Sequence, residues 1–146
     1  MSARLPSFAA FFPTYLADHA DHRSRRLHFA GTTAFLAVLL GCAAARPVPV
    51  VGALLVALAL GGVGSRLEAR ANAAPVLLAM VGLLALAHPG VLGGVALAYA
   101  HAWAGHFLIE KNRPATFTYP IWSLAGDFVL YGRMLRGEAW APGPLR

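Results

Sequence analysis

Charge is what this chain has least of. Only 12% of its 146 residues are charged and only 6 are acidic, while 58% are hydrophobic. Ordinary soluble domains carry about 25% charged residues, so the composition argues against a water-facing globule and for a single integral membrane domain, 1–146. Cysteine is nearly absent as well. Cys42 is the only one and lies within an apolar stretch, which excludes an intrachain disulfide and a thiolate metal cluster. No P-loop, Gly-rich dinucleotide fingerprint or GxSxG elbow is present. Nor do the 6 histidines form the HxxxH and HxxHH clusters of di-iron membrane hydroxylases and desaturases. The first 20 residues lack the basic, apolar, small-residue order of a cleavable signal peptide, so the first membrane helix is expected to act as its own insertion signal. The net charge is +6, but the basic residues are neither clustered nor interleaved with aromatics, which speaks against a nucleic-acid groove. They fit better as topology signals and contacts to membrane lipid headgroups. No feature of the sequence specifies an oligomeric state.

What is present is apolar sequence in four stretches, predicted as membrane helices over 27–45, 48–64, 75–88 and 91–110. The third is short of the usual span of about 20 residues. Arg4, Arg23, Arg25 and Arg26 precede the first stretch, Arg66 and Arg70 lie between the second and third, and Lys111, Arg113, Arg133 and Arg136 follow the fourth. The alternate connections carry only Arg46 and the uncharged His88-Pro89-Gly90. The positive-inside rule then puts both termini in the cytoplasm, in what is expected to be a bacterial inner membrane. Two flanking segments look amphipathic. Phe8, Phe11, Phe12, Tyr15, Leu16 and His19 recur at helical spacing over 6–19, with Ser7 as N-cap and Pro13 expected to kink or restart the helix. Ile121, Leu124, Phe128, Tyr131 and Leu135 make a second stripe over 120–136. The fold expected is an all-α bundle of about four transmembrane helices flanked by two amphipathic ones.

Ionisable residues at membrane depth cost free energy and are functional candidates by default. His106 and Glu110 are i and i+4 and share a helix face, which Tyr99 and Trp103 continue inward. His101 lies about 140° around an ideal helix from His106 and cannot join it without a local bulge. On the other side, His19, His22 and His28 cannot point one way from a straight helix. A turn with Ser24 as cap would bring His19 from the end of one helix and His28 from the first turn of the next. With an even number of spans these histidines and those of the fourth stretch meet at one membrane face, and convergent imidazoles are a common first shell for iron or zinc. A lone histidine there is more often a headgroup contact, which is the ordinary reading of His22, His88 and His101 taken singly. His88 is on the opposite side.

Three segments carry a resemblance. They are Phe8-Ala-Ala-Phe11-Phe12-Pro-Thr-Tyr15-Leu16-Ala-Asp-His19, then Arg25-Arg26-Leu27-His28-Phe29-Ala30-Gly31, then Ala102-Trp103-Ala104-Gly105-His106-Phe-Leu-Ile-Glu110-Lys111-Asn112-Arg113-Pro114-Ala115. With this spacing the chain resembles the membrane family that contains the fungal 2-hydroxy fatty acid dioxygenase of phytosphingosine breakdown. The continuation Thr116-Phe117-Thr118-Tyr119-Pro120 resembles its bacterial branch rather than the fungal one. The resemblance implies an Fe(2+)-dependent enzyme at the cytoplasmic face that uses O2 to shorten a long-chain 2-hydroxy fatty acid by one carbon. It carries the metal ligands over onto His19, His28 and His106. His101 or His22 is then a candidate fourth ligand, and Glu110 either a ligand or the acceptor that fixes an imidazole tautomer. Tyr99 would wall the site, and Arg113, with Arg25, Arg26 and Lys111, could neutralise the substrate carboxylate. Two other functions fit the same residues. One is a zinc-dependent membrane lipid hydrolase with Glu110 or Asp127 as base. The other is a non-catalytic membrane scaffold.

Overall fold

The computed structural model describes residues 4–143, and all its regular elements are helical. In chain order they are α1 (Phe8–Ala17), α2 (His22–Ala45), α3 (Pro47–Leu67), α4 (Ala74–Ala87) and α5 (Val91–Ala104). Helix α5 runs on into a π-helical segment (Gly105–Glu110), and after a short 3-10 turn (Ala115–Phe117) comes α6 (Pro120–Leu135). Three helices are long and apolar enough to cross a membrane: α2, α3 and the continuous Val91–Glu110. The fourth expected span, α4, has only 14 residues. At 1.5 Å per residue it is about 21 Å long, against a hydrocarbon core of about 30 Å. Val48 and Leu86 are more than four-fifths exposed, at 82% and 84%, as side chains facing lipid would be.

Helix starts differ from the expected ones for local reasons. Helix α2 begins at His22, because Asp21 is the N-cap and its side chain accepts the Arg23 N–H at 2.8 Å. Ser24, the expected cap, is therefore inside the first turn and buried. Pro47 opens α3, where its missing N–H costs nothing, and only Arg46 separates it from α2. In α1 the Ser7 hydroxyl accepts the Ala10 N–H as expected, and Pro13 sits within the helix without ending it.

Packing divides the membrane part into two pairs, α2 on α5 and α3 on α4. Gly31 makes the first pair close: a Cβ there would lie 2.9 Å from the His101 Cβ and 3.0 Å from the Ala98 carbonyl oxygen. Helix α6 lies across the end of both pairs. Its first turn is capped by the buried Glu68, whose two oxygens accept the Ile121 N–H at 2.8 Å and the Trp122 N–H at 2.6 Å; a carboxylate is favourable at that positive helix end. The buried stripe of α6 matches the one its sequence suggested only in part, at Ile121, which is buried, and Leu124, which packs against the core. Trp122, Gly126, Leu130 and Met134 face inward, while Phe128 and Leu135 are exposed. The reason is α1: its Tyr15 ring seats on Gly126, where a Cβ would come within 2.9 Å, and Phe11, Tyr15 and Leu16 form one core with Trp122, Leu130 and Met134.

Candidate metal centre

The site forms where the α1–α2 corner meets the π-helical end of the third span. His19 lies in that corner just beyond α1, His28 in the second turn of α2, and His106 in the π segment. All three are buried, and their ligating atoms lie within 4.8 Å of one another. Ring centroids are separated by 4.4 Å (His19–His28), 4.7 Å (His19–His106) and 5.1 Å (His28–His106). Each pair of rings is close to perpendicular, at 81°, 75° and 88°.

Each ring is fixed from behind by an oxygen. His19 Nδ1 meets the Tyr15 carbonyl oxygen at 2.6 Å, His28 Nδ1 meets Asp127 Oδ1 at 2.9 Å, and His106 Nδ1 meets Asn112 Oδ1 at 2.7 Å. The Asn112 amide cannot be turned round, because its Nδ2 donates to the Asp18 carbonyl at 2.8 Å. With acceptors at every Nδ1, the proton of each neutral imidazole resides there and Nε2 is left as a bare lone pair. His19 Nε2 and His28 Nε2 are nevertheless 3.2 Å apart. Two lone pairs facing each other repel, and a cation between them removes the conflict. Two nitrogens each about 2.1 Å from one ion, at tetrahedral or octahedral angles, would be roughly 3.0–3.4 Å apart. The donor set therefore fits a divalent metal held by His19, His28 and His106.

The electrostatics agree. Burial, with His28 beside it, pushes the pKa of His19 well below its ordinary value, which keeps the ring neutral and able to ligate. Burial alone would raise the Asp127 carboxyl, but the neighbouring His28 and the hydrogen bonds from His28 and Tyr15 outweigh it and hold the carboxyl below its ordinary value. The Tyr15 hydroxyl, donating to Asp127 Oδ1 at 2.5 Å, is raised well above its ordinary value by burial and by that same carboxylate.

The other candidates lie outside the group of three. His101 remains in regular α-helix upstream of the π segment, with Nδ1 on the Leu97 carbonyl at 2.8 Å. His22 lies beside Asp21, Nδ1 to Oδ1 3.6 Å, partly exposed. Glu110 also stands outside the group. Its Oε1 instead accepts the Asp21 N–H at 2.9 Å and ties the π segment to the start of α2. Lys111 then adopts a left-handed conformation, φ 54°, which folds the chain back and delivers Asn112 to His106.

Beyond the imidazoles a cavity of about 360 Å³ runs between the two helix pairs. His28, His106, Asp127 and Tyr99 lie on its wall near the metal end, and Phe35, Leu54, Met80 and Leu84 line its body. The expected carboxylate-neutralising cations lie outside it. Arg25 is buried with its guanidinium committed to backbone carbonyls, those of His19, Ala20, Ala139 and Ala141 among them. Arg113 lies over the Phe117 ring at 5.3 Å and Arg26 over that of Trp140 at 6.0 Å. Among the described residues no Lys or Arg lines the cavity. Asp127, Tyr15 and Asn112 hold the imidazoles in roles that residue pattern did not assign: Asp127 stood out only as an isolated Asp in the apolar 120–136 stripe, and Tyr15 and Asn112 only as members of the resembling segments.

No curated protein and no solved structure matches the chain. A family model does, that of the 2-hydroxy-palmitic acid dioxygenase Mpo1-like proteins, over residues 5–139. The match takes in all three histidines and every partner that holds them, and the chain belongs to the Mpo1-like family.

Proposed function

We propose that this chain is an iron(II)-dependent dioxygenase that shortens long-chain 2-hydroxy fatty acids by one carbon, at the cytoplasmic end of a membrane bundle. The observation that carries the reading is the convergence of three Nε2 lone pairs, each set by an acceptor behind its ring, at the mouth of an apolar cavity. The family name supplies the substrate class.

His19, His28 and His106 would hold the iron, which would supply the electron transfer that lets O2 react with a 2-hydroxy acid. The chain's own residues do the rest. The cavity between the helix pairs takes the alkyl tail and sheds water from it, which fixes the head at the histidine end. Tyr99, braced edge-on by Trp103 at 5.5 Å, walls the head-group end, and the Thr116–Ser123 hydroxyl pair, 2.9 Å apart, adds polar lining there. Glu110 and Arg113 act as supports of the π segment and its exit rather than as groups in contact with substrate. In the overall reaction the C1–C2 bond breaks and C2 is oxidised to the new carboxyl. With C1 leaving as carbon dioxide and one water formed, one O2 accounts for all the electrons.

The test is to incubate purified, iron-loaded protein with 2-hydroxypalmitate in air and without O2, and to analyse the acids by mass. The expected result is the acid one carbon shorter, in air only. The shortened acid appearing without O2 would refute dioxygenation, and a metal-loaded protein inert toward every 2-hydroxy acid would refute the reading.

A further inference from the structure

Asp127 is the only charged side chain on the wall of the large cavity among the described residues. Both its hydrogen bonds converge on Oδ1, from Tyr15 and from His28, and its side chain retains 24% exposure. The partners of the other two imidazoles are neutral, a backbone carbonyl for His19 and an amide for His106. One carboxylate thus stands directly behind a donor set that has no charge of its own.

We propose that Asp127 sets the net charge of the centre and so makes it selective for amphiphiles with a monoanionic head. The inference rests on the metal reading above. A divalent ion on three neutral imidazoles carries two positive charges, and Asp127, one imidazole away, offsets one of them. A single carboxylate head then brings the buried assembly to neutrality, which a low-dielectric site favours strongly. A dianionic head leaves one negative charge, and no Lys or Arg lines the cavity to take it up. A neutral head leaves one positive charge. The Tyr15 hydroxyl, bonded to the same Oδ1 that His28 uses, holds the carboxylate in place. Asp127 is therefore a positioning and specificity residue acting through His28.

Asp127→Asn removes the charge while keeping an oxygen for His28 and Tyr15. The protein is loaded with Co2+, and metal affinity, the Co2+ visible spectrum and binding of two probes are measured: 2-hydroxypalmitate, and tetradecylmalonate at a pH where both its carboxylates are ionised. The unsubstituted protein should prefer 2-hydroxypalmitate. Asp127→Asn should shift the malonate-to-hydroxyacid affinity ratio by about tenfold toward the dianion, since losing one negative charge helps a dianion about twice as much as a monoanion. Its Co2+ spectrum should change and its Co2+ affinity fall by about 10–100-fold. Asn112→Asp puts a second carboxylate behind His106, giving up the Nδ2 donation to the Asp18 carbonyl, and should move the ratio the opposite way; in folded, Co2+-loaded form it decides the matter alone should Asp127→Asn not fold. An unchanged ratio in folded, Co2+-loaded variants overturns this proposal and leaves the metal reading standing. An unsubstituted protein that binds neither Co2+ nor Fe2+ overturns both.

Discussion

His19 Nε2 faces His28 Nε2 at 3.2 Å with both Nδ1 atoms already on oxygen acceptors. In the metal-free protein this pair is a local conflict, and a bound ion converts it into a shared ligation. Metal binding and the geometry of the α1–α2 corner are therefore coupled.

Removing any one imidazole should cost metal. His19→Ala, His28→Ala and His106→Ala are each expected to lower metal content in the purified protein to near background, by elemental analysis. His88→Ala, at the far end of the bundle with Nδ1 accepting the Gly90 N–H, should retain it. Full occupancy in His28→Ala would show that the ion is held elsewhere.

Asn112 reaches His106 only because Lys111 is left-handed, φ 54°. Lys111→Gly is expected to leave stability within about 1 kcal/mol or raise it slightly, because glycine adopts that conformation freely. Lys111→Val should lose about 1–3 kcal/mol through backbone strain at this position. Melting temperature in detergent and metal affinity should move together along the series; equal melting temperatures for the glycine and valine variants would contradict the strained-turn account.

Acid should weaken the metal-free protein through His19. Its folded pKa is lowered by burial and by His28, so below about pH 6.5 the unfolded chain takes up a proton that the folded one refuses. The stability from the buried neutral ring is complete above the unfolded pKa and is lost as pH falls from there toward the folded value. His19→Gln should flatten that part of the melting-temperature profile; a variant that keeps the full slope would assign it to another group.

Orientation can be read by labelling. With Cys42→Ser as background, a membrane-impermeant thiol reagent applied from the cytoplasmic side should label Arg70→Cys and not Pro47→Cys. The reverse pattern would put the histidines on the other face.

Much of this protein was legible in its residues. Apolar runs punctuated by Arg46-Pro47, by the Ser65–Ala74 loop and by His88-Pro89-Gly90 mark the helix ends, because burying a backbone in lipid leaves few alternatives to a helix. The corner that separates His19 from His28 follows from the chemistry of short-range capping, although Asp21 caps where Ser24 was expected. What pattern alone could not supply is everything decided across long separations. Helical spacing offers Glu110 as a partner for His106, but in the fold its carboxylate accepts the Asp21 N–H, 89 residues away in the chain. Asp127 is 99 residues from His28 in sequence. The inward face of α6 keeps Ile121 of the helix's own stripe but turns toward Gly126, on which Tyr15 of α1 seats. Local sequence determined which segments are helical and which of them are apolar enough to cross a membrane. The oxygens behind His19 and His106 come from nearby in the chain, four and six residues away, whereas the carboxylate behind His28 and the meeting of the three rings were decided by tertiary packing, since only the folded bundle brings Asp127 and the two ends of the chain together.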